Sequence, residues 1–154
     1  MPSSAKTTKT TKATKATDSH TWNRLLILHT HVEGRLAAVL QRRHGLGLSE
    51  YRALGFLTEA EKNELRMTEL ADRLGLNQSS VTRLVNRLNA AEFTYRDLCP
   101  DDKRGAYTVL TAAGRDRYRE ARITYETTLS AALDELAEAD PGHAAIVEAA
   151  RAVV

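Results

Sequence analysis

The side chains best suited to chemistry in this 154-residue chain are polar groups gathered in one stretch, residues 78–86. Apolar residues at 81, 84, 85 and 88 follow helical spacing, which places Arg83 and Asn86 on the opposite face of a helix. There Arg83 can pair with O6 and N7 of guanine, and Asn86 or Gln78 with N6 and N7 of adenine, while hydroxyl groups suit phosphate oxygens. The predicted DNA-contacting residues of this stretch are Gln78, Ser79, Ser80, Thr82, Arg83 and Asn86. The alternative is that some of them belong to an ordinary solvated face.

A helix-turn-helix is the element that would position these side chains. Residues 67–74 predict a first helix with one apolar side, and Gly75 can end it because glycine tolerates the left-handed conformation. Asn77 is a favourable N-cap for the second helix. The second helix of such a motif enters the major groove of DNA. The alternative is an αα-hairpin inside an ordinary helical bundle.

A β-hairpin is predicted directly after the second helix. Residues 93–98 and 106–110 are rich in β-forming side chains, and residues 100–105 between them are typical of a turn. A hairpin in this position forms the wing of a winged helix. Lys103 and Arg104 at its tip are predicted to contact the minor groove or the phosphate backbone.

Three arginines near the helix-turn-helix are candidates for flanking phosphate contacts, because a guanidinium binds phosphate through charge-assisted hydrogen bonds. They are Arg66, Arg73 and Arg87. For each of them, plain solvation is an equally good interpretation of the sequence.

Composition and charge restrict the class of protein. The chain is 42% hydrophobic and 27% charged, as globular proteins are, and its net charge of +2 neither demands nor excludes a nucleic-acid partner. One cysteine, Cys99, allows no intramolecular disulfide. The sequence has no apolar run of the length of a membrane span and no signal sequence. We therefore expect a cytoplasmic protein, associated with the nucleoid when it is bound to DNA, with no membrane partner.

The sequence carries no motif of an enzyme. It has no phosphate-binding glycine loop, no H-E-x-x-H, no G-x-S-x-G and no C-x-x-C. The five histidines are scattered, and neighbouring ones lack the spacing of metal ligands. We expect a protein that is not an enzyme and that needs no metal and no cofactor.

Long amphipathic helices are predicted on both sides of the central motif. We expect one integrated domain, 20–154, in which 49–110 form the DNA-binding lobe, with Ser49 as the N-cap of its first helix. Residues 20–48 and 111–154 are predicted to be a helical dimerisation region, because these helices have more apolar surface than a small domain covers. Residues 1–19, which are rich in Lys and Thr, are predicted to form a flexible basic arm.

A ligand pocket, if the protein has one, would lie between the dimerisation helices and the DNA-binding lobe. The side chains that the sequence offers for it are Trp22, His29, Arg35, Tyr51 and Arg52. None of them can be separated by sequence from an ordinary core or interface residue, so the ligand-binding residues stay undefined.

The run Asp102-Lys103-Arg104-Gly105, followed by Val109-Leu110-Thr111-Ala112-Ala113-Gly114, resembles the D-x-R wing tip and the L-T-x-x-G start of the fifth helix in the MarR (multiple antibiotic resistance regulator) family. Together with the helix-turn-helix and Arg96 at the start of the wing, the resemblance extends over residues 22–152. It implies a mainly α-helical winged helix-turn-helix with six helices: four helices, a small β-hairpin wing and two more helices. It also implies that Asp102 positions Arg104.

The same resemblance implies an obligate homodimer that binds a pseudo-palindromic operator on double-stranded DNA. Such regulators are usually repressors and are often released by a small phenolic or other anionic effector. The alternative function is a winged-helix protein-interaction module without specific DNA binding. One departure from the family pattern is Glu92, where the family has glycine between the second helix of the motif and the wing. We expect this helix to end in another geometry or Glu92 to be strained.

Overall fold

The computed structural model describes residues 17–98 and 106–153. These ranges contain six α-helices, which are α1 (Asp18–His44), α2 (Leu48–Glu59), α3 (Met67–Leu74), α4 (Gln78–Ala90), α5 (Ala112–Ala139) and α6 (Pro141–Arg151). They also contain three strands, β1 (Glu64–Arg66), β2 (Thr94–Asp97) and β3 (Tyr107–Leu110). The predicted fold class, mainly α-helical with a β wing behind a helix-turn-helix, is confirmed.

The helix ends follow the local sequence. Gly45 and Gly75 end α1 and α3 in the left-handed conformation, with φ of 63° and 66°. The side chain of Asn77 accepts a hydrogen bond from the backbone N of Ser80 at 2.9 Å and so caps α4. The predicted N-cap at Ser49 is wrong, because α2 begins at Leu48 and its N-cap is Gly47.

The sheet has one strand more than the sequence predicts. Strands β2 and β3 pair antiparallel, with Thr94 opposite Leu110. Strand β1 pairs with the other edge of β3, with Leu65 opposite Thr108, so the strand order is β1-β3-β2. This third strand ties the start of α3 to the wing. The tip of the hairpin lies outside the described residues.

The buried apolar side chains form two clusters, which pack different helices together. The larger one joins α2, α3 and α4 to the sheet and includes the predicted inner face of α4, namely Val81, Leu84, Val85 and Leu88. The smaller one joins α1 to α5 through Val32, Leu36, Ala132 and Leu136. Tyr125 on α5 packs against both clusters, and α6 packs on α5. Among the helices of the described ranges, none is both long and apolar enough to span a membrane.

The passage from α4 to the wing contains a strained residue. Glu92 has a φ of 61°, in the left-handed region that glycine favours, as expected from the missing glycine. The backbone N of Phe93 donates to the carbonyl of Leu88 at 3.0 Å, and that of Glu92 donates to Asn89 at 3.0 Å. This pair of bonds is the Schellman ending of a helix, which requires a left-handed residue at this place. The helix ending that glycine normally allows is therefore retained, and Glu92 adopts the left-handed conformation at a cost in conformational free energy.

We expect Glu92→Gly to raise the free energy of unfolding by about 0.5–1 kcal/mol. Relief of a left-handed conformation is worth about 1–2 kcal/mol, and the greater entropy of glycine in the unfolded chain offsets part of it. Urea unfolding followed by circular dichroism measures the change. Ala91→Gly is the matched control, since Ala91 has a φ of −83° and gains nothing from glycine. A Glu92→Gly variant that loses as much stability as Ala91→Gly would contradict the assignment of strain.

Candidate nucleic-acid interface and the adjoining pocket

The exposed face of α4 collects the predicted DNA-contacting side chains. Gln78, Ser79, Thr82 and Arg83 line one shallow concavity, and Asn86 is exposed one turn further along the helix. Ser80 is half-buried at the edge of this face. The buried residues of α4 hold the helix against α2 and α3, so the polar face is presented on a rigid support.

The polar groups of this face differ in their availability. The hydroxyl of Ser79 donates to Oδ1 of Asn77 at 2.9 Å, and that of Thr82 donates to the carbonyl of Gln78 at 2.8 Å. Both hydroxyl protons are therefore engaged within the helix, and a phosphate contact would require them to rotate. The side chains of Gln78, Arg83 and Asn86 make no hydrogen bond to any described residue. They are the donors that the face offers to a ligand.

The three flanking arginines all have neighbours within the chain. Nε of Arg66 donates to the hydroxyl of Tyr107 at 2.9 Å, and its guanidinium lies 5.1 Å from the centre of the same ring. The guanidinium of Arg73 lies 5.9 Å from the ring centre of Phe56. These contacts orient both side chains, which sit on the same side of the molecule around α3.

Arg87 is hydrogen-bonded to α2, although most of its side chain is exposed to solvent. Its Nε donates to Oε1 of Glu50 at 2.8 Å, and the other oxygen of Glu50 accepts from the backbone N of Gly47 at 3.2 Å. Glu50 thus caps α2 and fixes α4 at the same time. Sequence reasoning missed Glu50, although a carboxylate three residues after the N-cap is a known capping signature.

The described part of the wing presents Tyr95 and Arg96 on exposed positions of β2. Arg96 lies opposite Thr108 in the β-ladder, and its side chain makes no hydrogen bond to a described residue. The wing-tip residues predicted from the sequence, Asp102, Lys103 and Arg104, lie outside the described residues. Cys99 and residues 1–16 of the predicted arm lie outside them as well.

A cavity of about 260 Å³ opens between α2 and α5, and we refer to it as the α2–α5 pocket. Its side chains from α2 are Tyr51, Arg52, Phe56 and Glu59, beside Gly55, and those from α5 are Tyr118, Arg122, Tyr125 and Glu126. Of the five ligand candidates considered from the sequence, Tyr51 and Arg52 line it. Trp22, His29 and Arg35 do not.

An ion pair connects this pocket to α1. Arg52 donates to both carboxylate oxygens of Glu33, with 3.1 Å between Nη1 and Oε2. The hydrogen bond from Arg52 lowers the pKa of Glu33, and burial opposes this effect only in part. Arg52 therefore bridges α1 and the pocket, and Glu50 on the same helix α2 reaches α4.

Similarity to known proteins extends over most of the chain. A model of the MarR family matches residues 44–105. The MarR family transcriptional regulator Sco3205 of Streptomyces coelicolor, solved in complex with DNA, is 30% identical over 78% of this chain and 77% of that chain, with a TM-score of 0.72. AbsC, a MarR family transcriptional regulator of the same organism, is 26% identical over 89% and 97% of the two chains, with a TM-score of 0.70.

A mutant MarR of E. coli, complexed with operator DNA, is similar in fold. It is 19% identical over 83% of this chain and 89% of that chain, with a TM-score of 0.67. No curated protein sequence matches the chain.

Proposed function

Because the chain belongs to the MarR family of transcriptional regulators, we propose that it binds a pseudo-palindromic operator as a homodimer and represses transcription there. Its family is one of DNA-binding regulators and not of enzymes. The observation that carries the proposal is the exposed face of α4, where Gln78, Arg83 and Asn86 have side chains with no partner among the described residues. Major-groove recognition needs such a face.

DNA contacts are assigned to the side chains that can reach a groove or a phosphate. We assign base reading to Gln78, Arg83 and Asn86, and phosphate contacts to the hydroxyl residues of α4 and to the wing tip. We also assign flanking phosphate contacts to Arg66, Arg73 and Arg87. Arg73 and Arg87 keep guanidinium nitrogens without a hydrogen-bond partner among the described residues, so a phosphate contact is compatible with their contacts inside the chain.

The homodimer is supported by the apolar surface of α1. Trp22, Leu25, Leu26 and Ile27 are all more than a third exposed in the single chain, with Trp22 at 60%. Trp22, Leu25 and Leu26 have the spacing of one helix face, and an exposed apolar face of this kind is typical of an interface. We assign dimerisation to residues 20–48 and 111–154, and DNA binding to residues 49–110. Two α4 helices related by a two-fold axis would then read two half-sites. The expected place of action is the cytoplasm, at the chromosome.

A small-molecule effector is the proposed means of release. The α2–α5 pocket lies against α2, which Glu50 joins to α4 and Arg52 joins to α1. A ligand in the pocket can shift the balance between two arrangements of the lobes only if it binds one of them better. The position of α2 between pocket and α4 supports such a coupling.

A gel-shift experiment tests the proposed function. The full chain is titrated into the DNA upstream of its own coding sequence at two salt concentrations, with an unrelated fragment of equal length and base composition as control. We expect a shift of the upstream DNA that weakens at higher salt, because phosphate contacts release counterions. Equal binding of both fragments, or no shift at low salt, would contradict the proposal and favour the protein-interaction module.

A further inference from the structure

The α2–α5 pocket has an aromatic wall. The ring of Tyr51 stacks on that of Tyr125, with 4.5 Å between centres, and lies 5.2 Å from that of Tyr118. Burial, together with the neighbouring Tyr118, raises the pKa of Tyr51 well above its ordinary value, so this hydroxyl stays neutral. The ring of Tyr118 packs closely against the backbone at Gly55, since a Cβ there would lie 3.1 Å from this ring. Neutral aromatic faces carry negative electrostatic potential and attract cations.

The unpaired charged side chains of the pocket are mostly carboxylates. The guanidinium of Arg52 is neutralised by Glu33, to which it donates two hydrogen bonds. Glu59, Arg122 and Glu126 have no hydrogen bond or ion pair with any described residue. The lining as a whole has two arginines and two glutamates, but among its charged groups without a partner in the described ranges there are two carboxylates and one guanidinium. An anion would have to approach both carboxylates, whereas a cation would be paired by them.

The size of the pocket limits the occupant. A volume of about 260 Å³ is below the 300–1,000 Å³ typical of drug-sized ligands, and it accommodates a planar system of about two fused rings. From the aromatic wall, the excess of carboxylates and this volume, we infer that the α2–α5 pocket binds a small planar aromatic cation. This differs from the anionic effectors that the family resemblance implies. The assignment of the cation as the effector rests on the proposed regulatory function.

Isothermal titration calorimetry of the full chain without DNA tests the charge preference. The probes are N-methylquinolinium as the cation, quinoline at pH 8 as the neutral isostere, and 2-naphthoate as the anion. We expect the cation to bind at least tenfold more tightly than the other two. Changing Glu59→Gln and Glu126→Gln together is expected to weaken the cation about tenfold and to strengthen the naphthoate. Glu120→Gln, an exposed carboxylate on α5 outside the pocket, is the matched control and should change neither.

Tighter binding of 2-naphthoate, equal binding of all three probes, or no binding of the cation would overturn the inference. A loss in Glu120→Gln equal to that in the double variant would overturn it too, since it would show an effect of net charge alone. The same cation added to the gel shift is expected to weaken DNA binding at least tenfold. A chain that binds the cation but no DNA contradicts the regulatory function alone, and one that binds DNA but no cation contradicts this inference alone.

Discussion

Gly114→Ala is expected to lower the free energy of unfolding by about 3 kcal/mol, at the upper end of the cost of overpacking a core. Helix α5 starts directly beneath the wing, and a Cβ at 114 would overlap the carbonyl oxygen of Phe93 and lie 2.9 Å from Cδ1 of Leu110. The same carbonyl accepts a hydrogen bond from the backbone N of Thr111 at 3.0 Å. The backbone therefore cannot retreat from a new methyl group without losing that bond. Denaturant unfolding monitored by circular dichroism measures the loss.

Gly34→Ala is the matched control for this substitution. Gly34 is also a helical glycine, but a Cβ there has no heavy atom within 4 Å. Because alanine favours a helix over glycine by about 1 kcal/mol, Gly34→Ala should stabilise the protein by up to that amount. Equal changes of the same sign in the two variants would contradict the steric argument and would point to helix propensity as the only effect.

These contacts give a physical reason for the run Leu110-Thr111-x-x-Gly114. Leu110 is buried in the larger core. The hydroxyl of Thr111 accepts from the backbone N of Gly114 at 3.0 Å and donates to the carbonyl of Glu92 at 2.7 Å. One threonine thus caps α5 and holds the strained residue at the end of α4. The run connects the wing to the end of α4, so a change at Gly114 is expected to alter DNA binding as well as stability.

The helices were predictable because each is set by interactions between near neighbours. Apolar side chains at helical spacing, left-handed glycine at position 75, and caps such as Asn77 and Thr111 act within a few residues. Strand β1 was not predictable, since three residues are too short to show an alternating pattern and its pairing with β3 joins segments more than forty residues apart. The start of α2 was misplaced because Glu50 caps it through Gly47, with no side-chain cap from Ser49.

The exposed face of α4 and the α2–α5 pocket also differ in how far the sequence predicts them. The exposed face of α4 follows from the period of a single helix, which is why the sequence places Gln78, Arg83 and Asn86 on it. Their contact with DNA stays a prediction. The pocket is made of side chains from α2 and α5 that are 59 or more residues apart in the chain. No local sequence pattern predicts that Tyr51 and Tyr118 are in contact. The ion pair of Arg87 with Glu50 could not be predicted either, because the two residues are 37 positions apart in the chain.

Arg83→Ala is expected to weaken binding to the operator by about 1–3 kcal/mol, or roughly 5- to 150-fold. Arg83 is the exposed arginine on the part of α4 that carries the concavity, and its guanidinium has no partner among the described residues. It can therefore donate two hydrogen bonds to a guanine without first losing one inside the protein. Affinities for the operator and its single-base variants, measured by fluorescence anisotropy, give both the loss and its dependence on sequence.

The dependence on sequence separates the two roles that an arginine can have on this face. If Arg83 reads a base, the variant loses affinity for the operator but little for the DNA changed at that base, so preference relaxes at one position. A uniform loss over all DNA variants, with the salt slope reduced by about one, would assign Arg83 to a phosphate instead. Arg42→Ala, an exposed arginine on α1 with no partner among the described residues, removes the same charge and is the control. It should leave the preference at every base position unchanged, because charge alone carries no sequence information.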